Sequence, residues 1–304
     1  MTRLPLSCLT CFLMLSGLLF AETPVKTVNV GLKPESVCRG FEGKLYVSMI
    51  QGDVAGDGTI VSVDGDTVKM FAKGFNDPKG LVFVGDHLVT ADGTTLWKID
   101  SHGTATKLAE AKDFPQPIEF LNDVAAGLDG QSVYVSEMSS PAPMFDPSSD
   151  QPKLWDLDSP QAKALPNKGC VYKVTMKGEV TLAVPPGNPM VRFPNGVAIG
   201  HNEKEDRIYV GDFFSGHVVA YHDGKYHSVA AGVRGVDGLT VTPDAFYVSS
   251  WTQGKVWRFD RRTHQLKVLH EGLKSAADFY YDEKDKQLVV PDMLSGTLVF
   301  LPLD

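Results

Sequence analysis

Short runs of β-branched and aromatic residues, broken by Gly, Asn, Asp and Pro, fill most of the chain, and nothing of helical period stands out. One such run occurs six times: Leu45-Tyr46-Val47-Ser48, Leu88-Val89-Thr90, Val133-Tyr134-Val135-Ser136, Ile208-Tyr209-Val210, Phe246-Tyr247-Val248-Ser249 and Leu288-Val289-Val290. A further run, opened by Gly or Thr, follows each, as in G-T-I-V-S-V from Gly58 and G-K-V-W-R-F from Gly254. A fourth kind ends in small residues, as in V-K-M-F-A-K-G from Val68 and Y-H-S-V-A-A-G from Tyr226. Short β-rich runs divided by turn residues predict antiparallel strands. Ahead of each set stands a short motif centred on Glu35, Lys79, Asn122, Asn195, Asp237 or Asp278, at intervals of 44, 43, 73, 42 and 41 residues. Repeats of roughly 40–50 residues have the length of a four-stranded propeller blade. The expected fold is all-β, a six-bladed β-propeller.

The sixth repeat has three such runs, and a matching fourth occurs at the other end of the chain. V-K-T-V-N-V-G-L-K, from Val25 to Lys33, parallels V-L-H-E-G-L-K from Val268 to Lys274. Residues 25–30 are therefore expected to complete the last blade and close the ring, leaving no frayed edge. That makes 22–304 a single domain. The long interval marks an insertion at about 138–168, between the second and third strands of the third repeat. It carries six prolines, Pro141, Pro143, Pro147, Pro152, Pro160 and Pro166, together with Trp155. In a four-stranded meander this position overhangs the face where the six motifs begin. A loop of this length is either a functional lid or an irregular excursion.

Composition narrows the setting. The 304 residues carry a formal charge of −8, whereas binding to nucleic acid needs a basic patch to neutralise phosphates. Arg3 precedes an apolar stretch from Leu4 that ends at Ala21, the layout of a secretory signal peptide over residues 1–21. The stretch is broken by Pro5 and several Ser and Thr, which makes it marginal as a membrane span. The expectation is a secreted or periplasmic protein, off the membrane once the leader is removed. Cys8 and Cys11 fall inside the leader. Cys38 and Cys170 remain, enough for one disulfide in an oxidising compartment, but the repeats place them on separate blades and favour two free buried thiols.

Circular repetition brings the six motif positions around one axis. Asn and Asp before Gly are ordinary turn residues taken singly. No strand requirement explains Glu35 or Asn122 in the same register, however. Two carboxylates, Glu35 and Asp237, and two carboxamides, Asn122 and Asn195, form a hard-cation set of the kind calcium takes, with positions left for substrate. No His or Cys occupies the ring, which argues against a transition metal. Lys79 either stabilises a developing oxyanion or pairs with a neighbouring acid. Asp278 either supports the ligands or opens the last blade as an Asx turn. The ends of the second strands, Met49, Glu137, Asp212-Phe213-Phe214, Trp251 and Asp292, reach the same face as candidate pocket walls or as packing between blades. No G-x-S-x-G, H-E-x-x-H, P-loop or G-x-G-x-x-G motif occurs.

With K-P-E around Glu35, L-N-D around Asn122, P-N-G around Asn195 and V-D-G around Asp237, the chain resembles the senescence marker protein/gluconolactonase family. The likeness is more distant to diisopropyl fluorophosphatase and the paraoxonases. It extends over residues 25–304 and rests on short motifs in the right order and blade spacing. It implies one divalent metal, most often calcium, held by Glu35, Asn122, Asn195 and Asp237. It also implies hydrolysis of a lactone or related ester, with Asp237 as base or nucleophile. Asn122, Lys79, Phe120, Glu137 and Trp251 are the candidate substrate-binding residues. Sugar-lactone members carry an Arg where this chain has Phe120, so a less polar small molecule is the expected substrate, turned over by a monomer. The competing expectation is a non-catalytic ligand- or protein-binding propeller whose metal only holds the channel together.

Overall fold

A computed structural model describes residues 25–303 apart from 53, 203 and 204. The expected leader and its two cysteines lie outside the described residues. Strands assemble into six four-stranded antiparallel sheets arranged as the blades of a β-propeller. Their innermost strands are Pro34–Arg39, Pro78–Val84, Leu121–Ala126, Pro194–Asn202, Val236–Val241 and Tyr280–Asp282, in blades 1 to 6. Five blades are consecutive meanders. In the sixth, the strand Lys26–Asn29 pairs antiparallel with Thr297–Pro302 and takes the outer place.

The apolar runs bury themselves between blades. Tyr46 and Ile60 of blade 1 pack with Leu81 and Leu88 of blade 2. Val89 and Leu96 of blade 2 meet Leu121 and Tyr172 of blade 3, and Val171 of blade 3 meets Val197 and Ile208 of blade 4. Similar layers join blades 4 to 5, 5 to 6 and 6 to 1. The outer strands are mostly exposed, which is why their sequences alternate polar and apolar residues while the second strands are almost wholly apolar. Cys38 and Cys170 are both buried free thiols, as the blade assignment predicts.

One irregularity recurs and sets the geometry of the channel. In blade 1, Pro34 faces Met49 and Val37 faces Val47, so three steps on the inner strand oppose two on its partner. The same one-residue β-bulge separates Pro78 from Leu81, Leu121 from Val124, Pro194 from Val197 and Val236 from Leu239. In blade 6, Ala276 bridges Asp292 while Tyr280 faces Val289, again with one residue in excess. A bulge bends its strand and re-aims a side chain. The residues just after the first paired position are Glu35, Lys79, Asn122, Asn195, Asp237 and Ala277. The next tier is Ser36, Gly80, Asp123, Gly196, Gly238 and Asp278. The motif reading placed Asp278 in the first tier; the bulge puts Ala277 there and moves Asp278 one step along the strand.

The Gly of P-N-G and of D-G therefore belongs to a bulge and not to a turn. A Cβ on Gly196 would sit 2.3 Å from the Asp237 carbonyl oxygen, and one on Gly238 would sit 2.8 Å from the Phe279 nitrogen. The next blade's inner strand passes too close for any side chain. Serines on three second strands hold the bulges in place. The amides of Ser36, Asp123 and Gly238 donate to Ser48, Ser136 and Ser249. Ser48 and Ser249 in turn donate to the Lys79 and Ala277 carbonyls of the following blades.

Candidate metal centre

Five of the six first-tier side chains, all but Ala277, meet at one end of the channel. Glu35, Lys79, Asn122, Asn195 and Asp237 line a single cavity of about 160 Å³, together with Phe120, Met138, Pro141, Phe145, Phe213, Trp251 and Met293. Larger hollows of about 780 Å³ and about 570 Å³ lie among the hairpins at the blade edges. Glu35, Asn122, Asn195 and Asp237 are each 6% exposed or less. Asn195 Nδ2 donates to Asp237 Oδ1 at 3.0 Å, which turns the Asn195 carbonyl oxygen away from that contact. Asn122 Nδ2 lies 3.2 Å from the Met138 sulfur. That contact makes the Asn122 amide nitrogen a donor to sulfur and leaves its oxygen for another partner.

Two oxygens of the set are buried without a hydrogen-bond partner, Glu35 Oε2 and Asn195 Oδ1. A buried acceptor without a hydrogen bond is costly, by roughly 1–3 kcal/mol, and calls for an explanation. A hard cation would satisfy both, and the donor set of two carboxylates and two amides is one that calcium accepts. Among the described residues no group of three or more His, Cys, Asp or Glu is placed to hold a metal. The candidate set holds two carboxylates, and its remaining oxygens come from asparagines.

Burial also sets the electrostatics of the cavity. Burial, with Asp237 adding to it, drives the Glu35 carboxyl well above the usual carboxylate range, against the pull of Lys79. Asp237 is pushed up to about 7 by burial and by Asp278, although Lys79 and the Asn195 hydrogen bond oppose the shift. Lys79 is mostly buried, which lowers its affinity for a proton, but Glu35 and Asp77 outweigh that and hold it charged. Its Nζ lies 3.1 Å from Asp77 Oδ1 and 5.6 Å from the centre of the Phe120 ring. Lys79 thus follows the ion-pair alternative while still lining the cavity.

The second tier is wired differently. Asp123 accepts from the Val124 and Val197 amides, both at 2.6 Å. Asp278 accepts from the Ser36 hydroxyl and shares a hydrogen bond with Asp123. Burial raises both carboxyls, Asp278 to about 6. They line a separate hollow of about 320 Å³ between the later parts of the inner strands.

Glu137 does not join the cavity. Its carboxylate accepts from the amides of Glu119, Phe120 and Ser139 and lines a different pocket, with Glu119, Cys170 and Tyr172. Asp92, Asp212 and Asp292 stand at the equivalent point of their blades. They likewise accept from amides of the segment leading into the inner strand. The acids closing the second strands are backbone clamps, and the residues just beyond the strand ends, Met138, Phe213, Trp251 and Met293, form walls.

Residues 138–168 are a folded roof. The turn Ala142–Met144, a bridge between Phe145 and Leu154, and a helix Pro160–Ala164 capped by Ser159 give it shape. Met144, Leu154 and Ala162 pack on Phe193, Phe213 and Phe214. Two arginines fasten it. Arg192 donates to the carbonyls of Ala162, Leu165 and Pro166, and Arg234 reaches the Trp155 carbonyl at 2.7 Å while lying over the Phe214 ring. Met138, Pro141 and Phe145 were not singled out from the sequence. The insertion's position was readable there, but which of its residues turn inward was not.

No family model matches the chain, and no curated protein sequence matches it. Among solved structures, a chain from the crystal structure of the nidogen/laminin complex matches with a TM-score of 0.58. The two are 11% identical, and the match covers 80% of this chain and 81% of that one. At this identity the likeness establishes the shared propeller fold.

Proposed function

We propose that this propeller is a divalent-cation-dependent hydrolase of a small lactone or related ester, exported from the cell, with calcium the best-fitting ion. The observation that carries the reading is the convergence of Glu35, Asn122, Asn195 and Asp237 in one cavity, with Glu35 Oε2 and Asn195 Oδ1 buried and unpartnered. A cation bound there supplies Lewis-acid polarisation of the substrate carbonyl oxygen. The chain's own part is positional and acid–base. Asp237, oriented by the Asn195 amide, takes the proton from an attacking water and returns it to the alkoxide released as the ester C–O bond breaks, or attacks the carbonyl itself, expelling that alkoxide and leaving an acyl-enzyme that water hydrolyses. Lys79 offsets the negative charge of Glu35 and Asp77. The roof and the aromatic walls restrict water over the reacting carbonyl.

The resemblance to gluconolactonases supports this reading through the same four residues and not through overall sequence similarity. A second reading keeps the cation as a structural pin in a protein-binding propeller. It draws on the matched structure, which comes from a protein–protein complex, and on the fact that one fold hosts many functions. A panel of lactones and esters, assayed before and after EDTA, separates them. Hydrolysis that EDTA abolishes and calcium restores supports the enzyme. An inert panel, with EDTA lowering only the melting temperature, supports the binding module.

A further inference from the structure

We propose that the chamber over the four oxygen side chains accepts a single small apolar ring, a five- or six-membered monocyclic lactone without hydroxyl substituents. This deepens the proposed hydrolase reading and rests on it for the reaction, though not for the shape of the ligand.

Phe145 of the insertion, Phe213 at the end of a second strand in blade 4 and Trp251 in blade 5 form a mutually touching wall. Their ring centres are 6.1 Å apart for Phe145 and Phe213, and 6.4 Å for each of the other two pairs. Phe120 stands in the wall as well. The polar handles in this wall are already used. Trp251 Nε1 lies 3.1 Å from the Met293 sulfur, and Asn122 Nδ2 is on Met138. Oxygen donors and charge are thus confined to the first-tier floor, and nothing in the aromatic wall would meet a ring hydroxyl. A polyhydroxylated lactone would leave its hydroxyls without partners, whereas a bare ring loses nothing on entering.

Size makes the same choice. The cavity volume is about 160 Å³, and an engineered apolar protein cavity of about 150 Å³ holds benzene. One ring fills that volume, and a fused bicycle exceeds it. The roof sets that limit through Phe145, which comes from the insertion and not from a blade. Its fastening by Arg192 and Arg234 keeps Phe145 in place.

The test compares δ-valerolactone, glucono-δ-lactone and the bicyclic dihydrocoumarin on the calcium-loaded protein. Binding of the non-hydrolysable ring cyclohexanone, and of glucose, is followed by saturation-transfer NMR with and without EDTA. The expected result is a kcat/KM for δ-valerolactone at least about 100-fold above that for glucono-δ-lactone, with binding of cyclohexanone and not of glucose. Phe145→Ala is expected to raise dihydrocoumarin turnover relative to δ-valerolactone by about 10-fold, and Trp251→Leu to shift the ratio the same way. Equal turnover of the sugar lactone, failure of cyclohexanone to bind, or an unchanged ratio in both variants overturns the inference. If no lactone is hydrolysed while cyclohexanone still binds and glucose does not, the hydrolase reading falls and the chamber's preference stands.

Discussion

The two tiers of the channel hold the same kind of residue in opposite states. In the second tier, the buried Asp123 and the partly buried Asp278 have oxygens that meet backbone amides, a serine hydroxyl and each other. In the tier before it on the inner strands, Glu35 and Asn195 are as deeply buried as Asp123, and each leaves an oxygen with no hydrogen-bond partner. Burial alone therefore does not mark a site. A buried carboxylate whose acceptors are filled by its own chain joins neighbouring blades, while one left unfilled at the wall of a cavity is open to a ligand. The bulge makes the two tiers face different surroundings from adjacent positions in the sequence.

The sharpest break in that comparison is Asp237→Asn. It keeps the shape of the first tier but removes the base, and hydrolysis is expected to fall by about 10³-fold while circular dichroism and the melting curve of the folded protein persist. The second tier should answer in stability instead. Asp123→Ala strands the buried amides of Val124 and Val197, and urea unfolding is expected to show a loss of about 2–5 kcal/mol. If Asp123→Ala left stability unchanged while abolishing cation uptake, the two tiers would have exchanged roles.

Acid–base linkage sharpens the contrast further. Asp278 and Asp237 have folded-state values of about 6 and about 7, above the ordinary aspartate value of about 3.9. Their contribution to stability is thus present below about pH 4 and lost as pH rises through 6 and 7. In EDTA the melting temperature is expected to fall across that window, by on the order of 5 °C. Calcium, which binds the ionised carboxylates, should restore more at pH 7.5 than at pH 5. Carboxylates held low elsewhere, such as Asp129 at about 2, gain their stability below that window and do not mask it. The smallest effect expected is from Glu35→Gln. Replacing a desolvated acid by a neutral amide should raise the EDTA-treated melting temperature by about 2 °C and remove most of the calcium response. A drop in melting temperature in EDTA would mean that Glu35 is already satisfied by its own protein.

Much of this was legible in the sequence because it repeats. Blade number, the spare strand from Val25, the inserted segment and the four oxygen side chains all follow from spacing. What escaped depends on direction. Asp278 was misplaced by one tier because A-A-D-F does not reveal where the extra residue of a bulge falls. Glu137 looked like a pocket wall, yet nothing in V-S-E-M says that the carboxylate bends back onto the amides of the loop before its own blade. The serine of Y-V-S recurs in three second strands, and only the bulge explains what its hydroxyl is for. Phe145, Pro141 and Met138 lie in a segment without period, and packing with Phe193, Phe213 and Phe214 sets the inward faces of Phe145 and Met138.

The central claim is that Glu35, Asn122, Asn195 and Asp237 together grip a divalent ion. Calorimetric titration of EDTA-dialysed protein with calcium tests it most directly, alongside a folded Glu35→Gln/Asp237→Asn variant. Uptake of one ion per chain, lost in the double variant, is the expected result. No uptake by the unaltered protein, or equal uptake by both, contradicts it.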